Sequence, residues 1–323
     1  MPLKKLVDAL RKNKKFVLTT HVSMEPDALG SEIALCLLLR SLGKEVIIVN
    51  DDKILGEYAF LPGLKHVKRF GRLTKNIHTD CFVILDCSDL SRCGEVASLE
   101  PFAKTTLNID HHISNSFFGD VNWVEPGVSS ASEMVYMLYK KMRIPINQDI
   151  ALLLFSGIAT DTGFFRYANT SSRTLKAAEE FLNLGVIPSE VYRHIYQDVP
   201  FEDAVILAKE LSKIKRAIWG KVVWASINRD ILKNTSKEFD LGEHFLSFMR
   251  SIKGVEVAVL FKENLGRKKE IRVNFRSQGK VDVNKIAQSF GGGGHKTASG
   301  ATIAGGLGTV MKKVLAEVKR KCV

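Results

Sequence analysis

Four short polar motifs carry the residue types that bind divalent cations or move protons. The first, His21-Val-Ser-Met-Glu25-Pro-Asp27, places an imidazole and two carboxylates at offsets of zero, four and six on one loop. An irregular turn can converge groups at that spacing, so the loop reads as metal-binding, although alone it could equally be a helix cap. The others are Asp86-Cys-Ser88-Asp89, Asp110-His111-His112 and Thr160-Asp161-Thr162-Gly163. Carboxylates gathered in one crevice repel one another unless cations neutralise them. The set therefore points to metal-assisted chemistry rather than to unrelated caps and turns.

The elements around these motifs explain how they could meet. Residues 16–20, 45–50, 81–86 and 105–110 are short, β-branched and apolar, and they predict four buried strands. Residues 28–42, 131–142, 149–159 and 172–184 carry apolar residues at three- and four-residue spacing and predict helices. Strands alternating with helices imply an α/β fold with a parallel sheet covered on both faces. Ligands of such sheets bind beyond the carboxyl ends of the strands, where three of the four motifs fall. The fourth follows the helix expected to end at residue 159.

Residues 188–216 read as a helical connector interrupted by Pro200, between a domain of residues 1–187 and a smaller α/β domain of residues 217–323. The smaller domain is expected to hold strands at 221–227, 255–262 and 270–276, with a hairpin turn through Asn264-Leu-Gly266. Helices are expected near 239–251 and 283–290 and from residue 307. The only low-complexity stretch is Gly291-Gly292-Gly293-Gly294, followed by His295 and Lys296. Glycines admit backbone N–H groups close to a phosphate, and the histidine and lysine add donors.

Charge supports that reading. Residues 217–323 hold 20 Lys and Arg against 9 Asp and Glu, nearly all of the net charge of +12, so this segment suits an anionic partner. Phe164-Phe165-Arg166 could clamp a nucleotide, but two phenylalanines after a helix are more often core. Lys319-Arg320-Lys321 reads as a helix end favoured by the dipole. The chain has 323 residues, 45% hydrophobic and 25% charged, which fits a globular protein. No apolar run approaches the roughly 18 residues a membrane-spanning helix needs, so no membrane association is expected. The amino-terminal residues lack the apolar core of a secretion signal, which predicts a cytoplasmic protein. Five cysteines without a Cys-x-x-Cys pair predict reduced, mostly buried thiols.

The four motifs in this order, with Asp110-His111-His112 among them, resemble the DHH phosphoesterase superfamily. The element Gly291-Gly-Gly-Gly-His295-Lys-Thr-Ala-Ser-Gly300 is similar to the signature of its DHHA1 carboxyl-terminal domain. The resemblance covers essentially the whole chain. It is nearest to the branch of small bifunctional oligoribonucleases, the nano-RNases, that also dephosphorylate 3′-phosphoadenosine 5′-phosphate. It implies two Mn²⁺ ions per chain, one on His21, Glu25 and Asp86 and the other on Asp27, Asp86, His111 and Asp161. Asp86 would bridge them, His112 would face the scissile phosphate as a donor, and Asp110 would orient a histidine. Arg276, Ser277, Gly292, Gly293, Gly294 and His295 would bind substrate, with Arg272 a weaker candidate.

One departure stands out. The family loop usually reads His-x-x-Pro-Asp-x-Asp, whereas Met24 holds the proline position here, Glu25 that of the first aspartate, and proline comes one place late at Pro26. Expected partners are short RNA or small nucleotides; no protein partner is inferable, and a homodimer is an open option. The rival readings are a cyclic- or linear-dinucleotide phosphodiesterase and, in another class, a nucleic-acid-binding module without catalysis. The retained acids and histidines argue against the latter, because a pure binder has no use for carboxylates around an anionic ligand.

Overall fold

Apolar, β-branched runs become strands in the computed structural model, which describes residues 2–75, 77–197, 199–236, 239–263 and 269–322. The chain divides into two units, Met1–Ile195 and Tyr196–Val323. In chain order the first holds α1 (Pro2–Lys12), β1 (Lys15–Thr19), α2 (Pro26–Ser41), β2 (Glu45–Asn50), β3 (Val67–Arg69), β4 (Thr79–Leu85), β5 (Ala103–Asp110) and β6 (Val121–Val124). The helices α3 (Ala131–Met142), α4 (Gln148–Asp161), α5 (Ser172–Asn183) and α6 (Pro188–Tyr196) follow.

The six strands pair in the order β3-β2-β1-β4-β5-β6, all in parallel. The central strands bury nearly every side chain, as a parallel sheet covered on both faces requires. From β1 the chain builds outward to β3 on one side, then returns to β4 and builds to β6 on the other. The carboxyl ends of β1 and β4 are thus a topological switch point, the place where α/β sheets bind ligands. The sequence predicted four of these strands. The other two, β3 and β6, are edge strands of three and four residues, too short for a periodic signal.

The helix α4 runs through Asp161 instead of ending at residue 159, because Thr160 Oγ1 bonds back to the Ser156 and Gly157 carbonyls inside the last turn. Glycines let α4 lie close against α2. A Cβ at Gly157 would stand 2.6 Å from Asp27 Oδ1, and one at Gly30 would collide with the Leu153 carbonyl. That approach brings Asp161, at the end of α4, toward Asp27, at the start of α2.

The second unit contains α7 (Phe201–Leu211), β7 (Lys215–Ala217), β8 (Val222–Ile227), α8 (Arg229–Asn234), α9 (Leu241–Ser251), β9 (Val257–Glu263), β10 (Glu270–Ser277), α10 (Val283–Gln288), β11 (Gly293–Gly294), β12 (Ala298–Ala304) and α11 (Leu307–Cys322). Its mixed sheet has the order β11-β12-β10-β9-β8-β7. Alternation along β9 sends Val257, Val259 and Phe261 into a core with Val310, Val314 and Val318 of α11. Ala258 and Leu260 face the opposite core, with Phe245, Leu246 and Met249 of α9. Part of the glycine run is strand β11, paired with the unforeseen β12. The turn expected through Asn264-Leu-Gly266 lies outside the described residues. Among the described residues, no helix is long and apolar enough to cross a membrane.

Candidate metal centre

Three strand ends deliver the side chains. At the end of β1, Thr20 Oγ1 bonds the Leu85 carbonyl at 2.9 Å, tying β1 to β4 just before the site. His21 follows, with Nδ1 2.7 Å from the Val22 carbonyl. A carbonyl can only accept, so the ring proton sits on Nδ1, and Nε2 is turned to the site. It lies 3.3 Å from Asp86 Oδ2. Asp86, one residue past β4, has φ of 52°, a left-handed conformation uncommon for aspartate; such strain clusters at functional sites.

From the end of β5, His111 Nε2 lies 3.3 Å from Asp86 Oδ1, 3.2 Å from Asp161 Oδ2 and 3.8 Å from Asp27 Oδ2. His112 Nδ1 is 2.6 Å from Asp110 Oδ1 and 3.6 Å from Asp86 Oδ1. Asp27 is held by the first turn of α3, whose Ala131 and Ser132 N–H groups donate to its two oxygens at 2.7 and 2.8 Å. His21, Asp27, Asp86, Asp110, His111 and His112 are all buried. The structure thus brings together every residue of the sequence-derived ligand and catalytic sets except Glu25. That residue caps α2, is solvent-exposed, and belongs to none of the clusters of ligand atoms found among the described residues.

The electrostatics ask for positive charge. Burial, with the neighbouring Asp161 and Asp86, pushes the Asp27 carboxyl well above its ordinary range. Burial works against protonation of His21, but Asp86 outweighs it and lifts the imidazole to about 9. The same contest, won by Asp161 and Asp86, raises His111 well above the usual range. Burial likewise opposes the charged form of Asp86, yet His111 and His21 hold it well below. Asp86 Oδ1 is buried and accepts no hydrogen bond. Ligand atoms of Asp27, Asp86 and His111 lie within 4.8 Å of one another, as do those of Asp86, Asp110 and His112. An orphaned carboxylate oxygen amid imidazoles and repelling acids fits a divalent cation.

Sequence reasoning missed the supports behind these groups. Asn50 receives Thr19 Oγ1 and the Thr20 N–H and donates at 2.6 Å to Glu32, a buried carboxyl that burial raises to about 8. Arg92, which follows the Asp86 loop, has a buried Nη1 with no hydrogen-bond partner. Its charge bears on both His21 and Cys87. Glu133 was legible: Ser130-x-x-Glu133 has the spacing of a capping box, and Ser130 Oγ does accept the Glu133 N–H. The Glu133 side chain turns instead to Ser129, to Thr174 at 2.9 Å and to Arg173 at 2.5 Å. Burial would raise its carboxyl, but these donors hold it below the ordinary range.

Glu133 thereby anchors the turn that grips Asp27. Glu133→Gln is expected to lower unfolding stability by about 1.5–3 kcal/mol at neutral pH, the range of hydrogen bonds to a charged group. Because the folded carboxyl titrates low, the wild-type advantage should shrink as pH falls through that depressed range. Urea denaturation at two pH values measures both effects, and an unchanged midpoint at neutral pH would refute the anchoring role.

In the second unit, Arg276 and Ser277 end β10 beside the glycine–histidine element, with the Ser277 N–H bonding the Thr297 carbonyl at 2.8 Å and Ser277 Oγ reaching the Lys296 carbonyl at 3.3 Å. Arg276 Nη2 is paired with Glu243 at 2.6 Å, and Nη1 bonds the Phe275 carbonyl. Exposed Arg272 reaches Thr302 at 3.3 Å. Back in the first unit, Phe164 and Phe165 pack against the core around Phe155, the blander of their two readings. All five cysteines are free, and four are buried.

A parallel sheet in this order, with acids and imidazoles gathered at its switch point, places the chain among α/β proteins whose strand ends form a site suited to divalent cations. Residues 15–158 match the DHH family, N-terminal domain, and residues 226–323 match the DHHA1 domain; the chain belongs to the DHH/DHHA1 phosphoesterase family. The bifunctional oligoribonuclease and PAP phosphatase NrnA of Thermus thermophilus is 32% identical over 305 residues, which is 94% of this chain and 89% of that protein. The protein of the same name from Bacillus subtilis is 30% identical over 294 residues, 89% and 88% of the two chains. A solved structure of an exopolyphosphatase-related protein from Bacteroides fragilis has a TM-score of 0.85 over 99% of this chain and 96% of that one. At 24% identity it establishes the fold alone.

Proposed function

We propose that the chain is a metal-dependent phosphoesterase that hydrolyses short oligoribonucleotides to mononucleotides and 3′-phosphoadenosine 5′-phosphate to AMP. The observation that carries the reading is the buried cluster of Asp27, Asp86, His111 and His112 at the sheet's switch point, in a family whose relatives carry both activities in their names. Residues 1–187 form the catalytic domain, 188–216 the connector and 217–323 the substrate-binding domain. The five free thiols suit the reducing cytoplasm.

Two ions are assigned, one to His21, Glu25 and Asp86 and the other to Asp27, Asp86, His111 and Asp161. Imidazoles among carboxylates favour Mn²⁺ over Mg²⁺, which prefers an all-oxygen shell. Bound there, the ions would supply Lewis-acid charge to the phosphoryl oxygens and make water acidic enough to serve as nucleophile near neutral pH. The chain does the positioning. Asp86 is held between His21 and His111, each 3.3 Å away, and Asp27 is clamped by α3. His112, tethered through its Nδ1–H by Asp110, presents Nε2 toward the scissile phosphate or its leaving oxygen, to which the doubly protonated ring donates. Arg276, Ser277, the Gly292–Gly294 backbone and His295 hold the nucleotide's remaining phosphate or base.

Glu25 tests the ligand assignment. Glu25→Gln is expected to raise the Mn²⁺ concentration for half activity, since an amide oxygen is the weaker ligand, and Glu25→Asp to raise it less. An unchanged Mn²⁺ dependence in both would strike Glu25 from the set and leave the other five. On the second unit, His295→Ala and Arg276→Ala should weaken nucleotide binding while leaving Mn²⁺ binding intact. Calorimetry showing the reverse would overturn their assignment.

The activity itself is tested by a panel of two- to five-nucleotide RNAs, longer RNA and DNA, 3′-phosphoadenosine 5′-phosphate, a cyclic dinucleotide and pyrophosphate, with products separated by chromatography. Mononucleotides from the short RNAs and AMP from the bisphosphate are expected. Turnover of the cyclic dinucleotide or pyrophosphate alone would replace the reading.

A further inference from the structure

Asn115, three residues beyond His112, is buried, and its amide has more partners than its loop needs. Its Oδ1 accepts the Phe117 N–H at 2.7 Å, a side-chain turn that holds Phe117 at φ of 55°. An aspartate would make that turn equally well. The nitrogen is what an aspartate lacks. Nδ2 lies 2.6 Å from Asp110 Oδ2 and 2.7 Å from Asn108 Oδ1, so both of its hydrogens are committed. Asn108 in turn donates to the Cys87 carbonyl at 3.1 Å and the Ile84 carbonyl at 3.3 Å, fixing it to the strand end that carries Asp86.

The consequence falls on Asp110, which is fully buried. Its Oδ2 is held by Asn115, and its Oδ1 takes the Nδ1 proton of His112 at 2.6 Å. Each oxygen has a single task, so the carboxylate cannot rotate without breaking a charge-assisted bond. A fixed carboxylate keeps the His112 proton on Nδ1 and leaves Nε2 pointing the other way.

We propose that Asn115 is a positioning residue, which sets the tautomer and orientation of His112 through Asp110 by a chain that starts at Asn108. The inference rests on the phosphoesterase reading for its kinetic consequence, but the arrangement itself can be measured without substrate.

The test is a double-substitution cycle with Asn115→Ala and Asp110→Ala. Outer partners of this kind are typically worth about 10- to 100-fold. Asn115→Ala should therefore lower kcat by about that factor, with KM for 3′-phosphoadenosine 5′-phosphate and the half-saturating Mn²⁺ concentration changed by less than about twofold. In the Asp110→Ala background it should cost less than about twofold, because a residue that acts through another is silent once the other is gone. Asn115→Asp keeps the turn and loses the donors, so it should lose kcat as Asn115→Ala does.

Nitrogen-15 spectra of metal-free, histidine-labelled protein should show His112 protonated on Nδ1 in the wild type and a mixture of tautomers in both Asn115 variants. Equal losses in the two backgrounds, an unchanged kcat in Asn115→Ala, or an unchanged His112 tautomer would overturn the proposal. So would loss of the folded circular dichroism spectrum in both variants, which would make the role structural. Wild-type protein inactive on the whole substrate panel would instead defeat the phosphoesterase reading, and the His112 tautomer would still decide this one.

Discussion

Asp86→Ala is expected to lower turnover by at least about two to three orders of magnitude, the loss that follows removal of a preorganised electrostatic element. Three imidazoles, those of His21, His111 and His112, lie within 3.3 to 3.6 Å of the Asp86 carboxylate. Without it the assigned ions would lose their shared ligand, and His21 and His111 would lose the charge that fixes them. Asp86→Asn separates charge from shape, since the amide fills the same space, and a loss of similar size in that variant assigns the effect to charge. Initial rates at saturating Mn²⁺, alongside circular dichroism, measure it. Near-normal activity in a folded Asp86→Ala protein would remove the residue from the site.

Chelation should have an equally large effect. Prolonged treatment with EDTA is expected to bring turnover to background, and added Mn²⁺ to restore it, because bound ions would make water acidic enough to serve as nucleophile near neutral pH. The dependence on pH has a definite sign. In the metal-free protein, Asp86 overcomes burial to lift the His21 imidazole to about 9, Asp161 and Asp86 raise His111 well above its usual range, and burial, with Asp161 and Asp86, raises the Asp27 carboxyl. Ions can bind only as those protons leave. The Mn²⁺ concentration for half activity should therefore fall steadily as pH rises from 6 to about 9. Undiminished turnover after verified metal removal would end the metal-dependent account, and a half-activating concentration that rises with pH would contradict the ligand assignment.

The parts of this site legible in the sequence are those written at strand ends. His21, Asp86, Asp110 and His111 each follow a short apolar run, so a parallel-sheet reading alone puts them on one edge. Asp161 needed a helix of the right length, and its place was off by two residues because Thr160 hides the helix end by bonding back to Ser156 and Gly157. Asp27 was visible as an acid, but its clamp on α3 was not, since Ala131 and Ser132 grip its carboxylate through backbone N–H groups and lie more than a hundred residues away. Glu32 and Asn50 were illegible because they and their partners, 18 to 31 residues apart in the chain, meet only once strands and helix pack together. Strand β12 was masked by composition: Ala298-Ser-Gly-Ala-Thr-Ile-Ala304 carries little of the β-branched pattern, and its pairing with β10 is a tertiary fact. The exposure of Glu25 reflects the shifted proline, which starts α2 at Pro26 and leaves Glu25 as its cap.

The most direct test of the central claim, that the strand-end cluster is a two-ion centre hinged on Asp86, is anomalous diffraction at the manganese edge from Mn²⁺-loaded crystals. The account predicts two peaks, one bonded to His21, Glu25 and Asp86 and the other to Asp27, Asp86, His111 and Asp161. Peaks that leave Asp86 unligated, or a fully loaded protein with no peak at the ends of β1, β4 and β5, would contradict it.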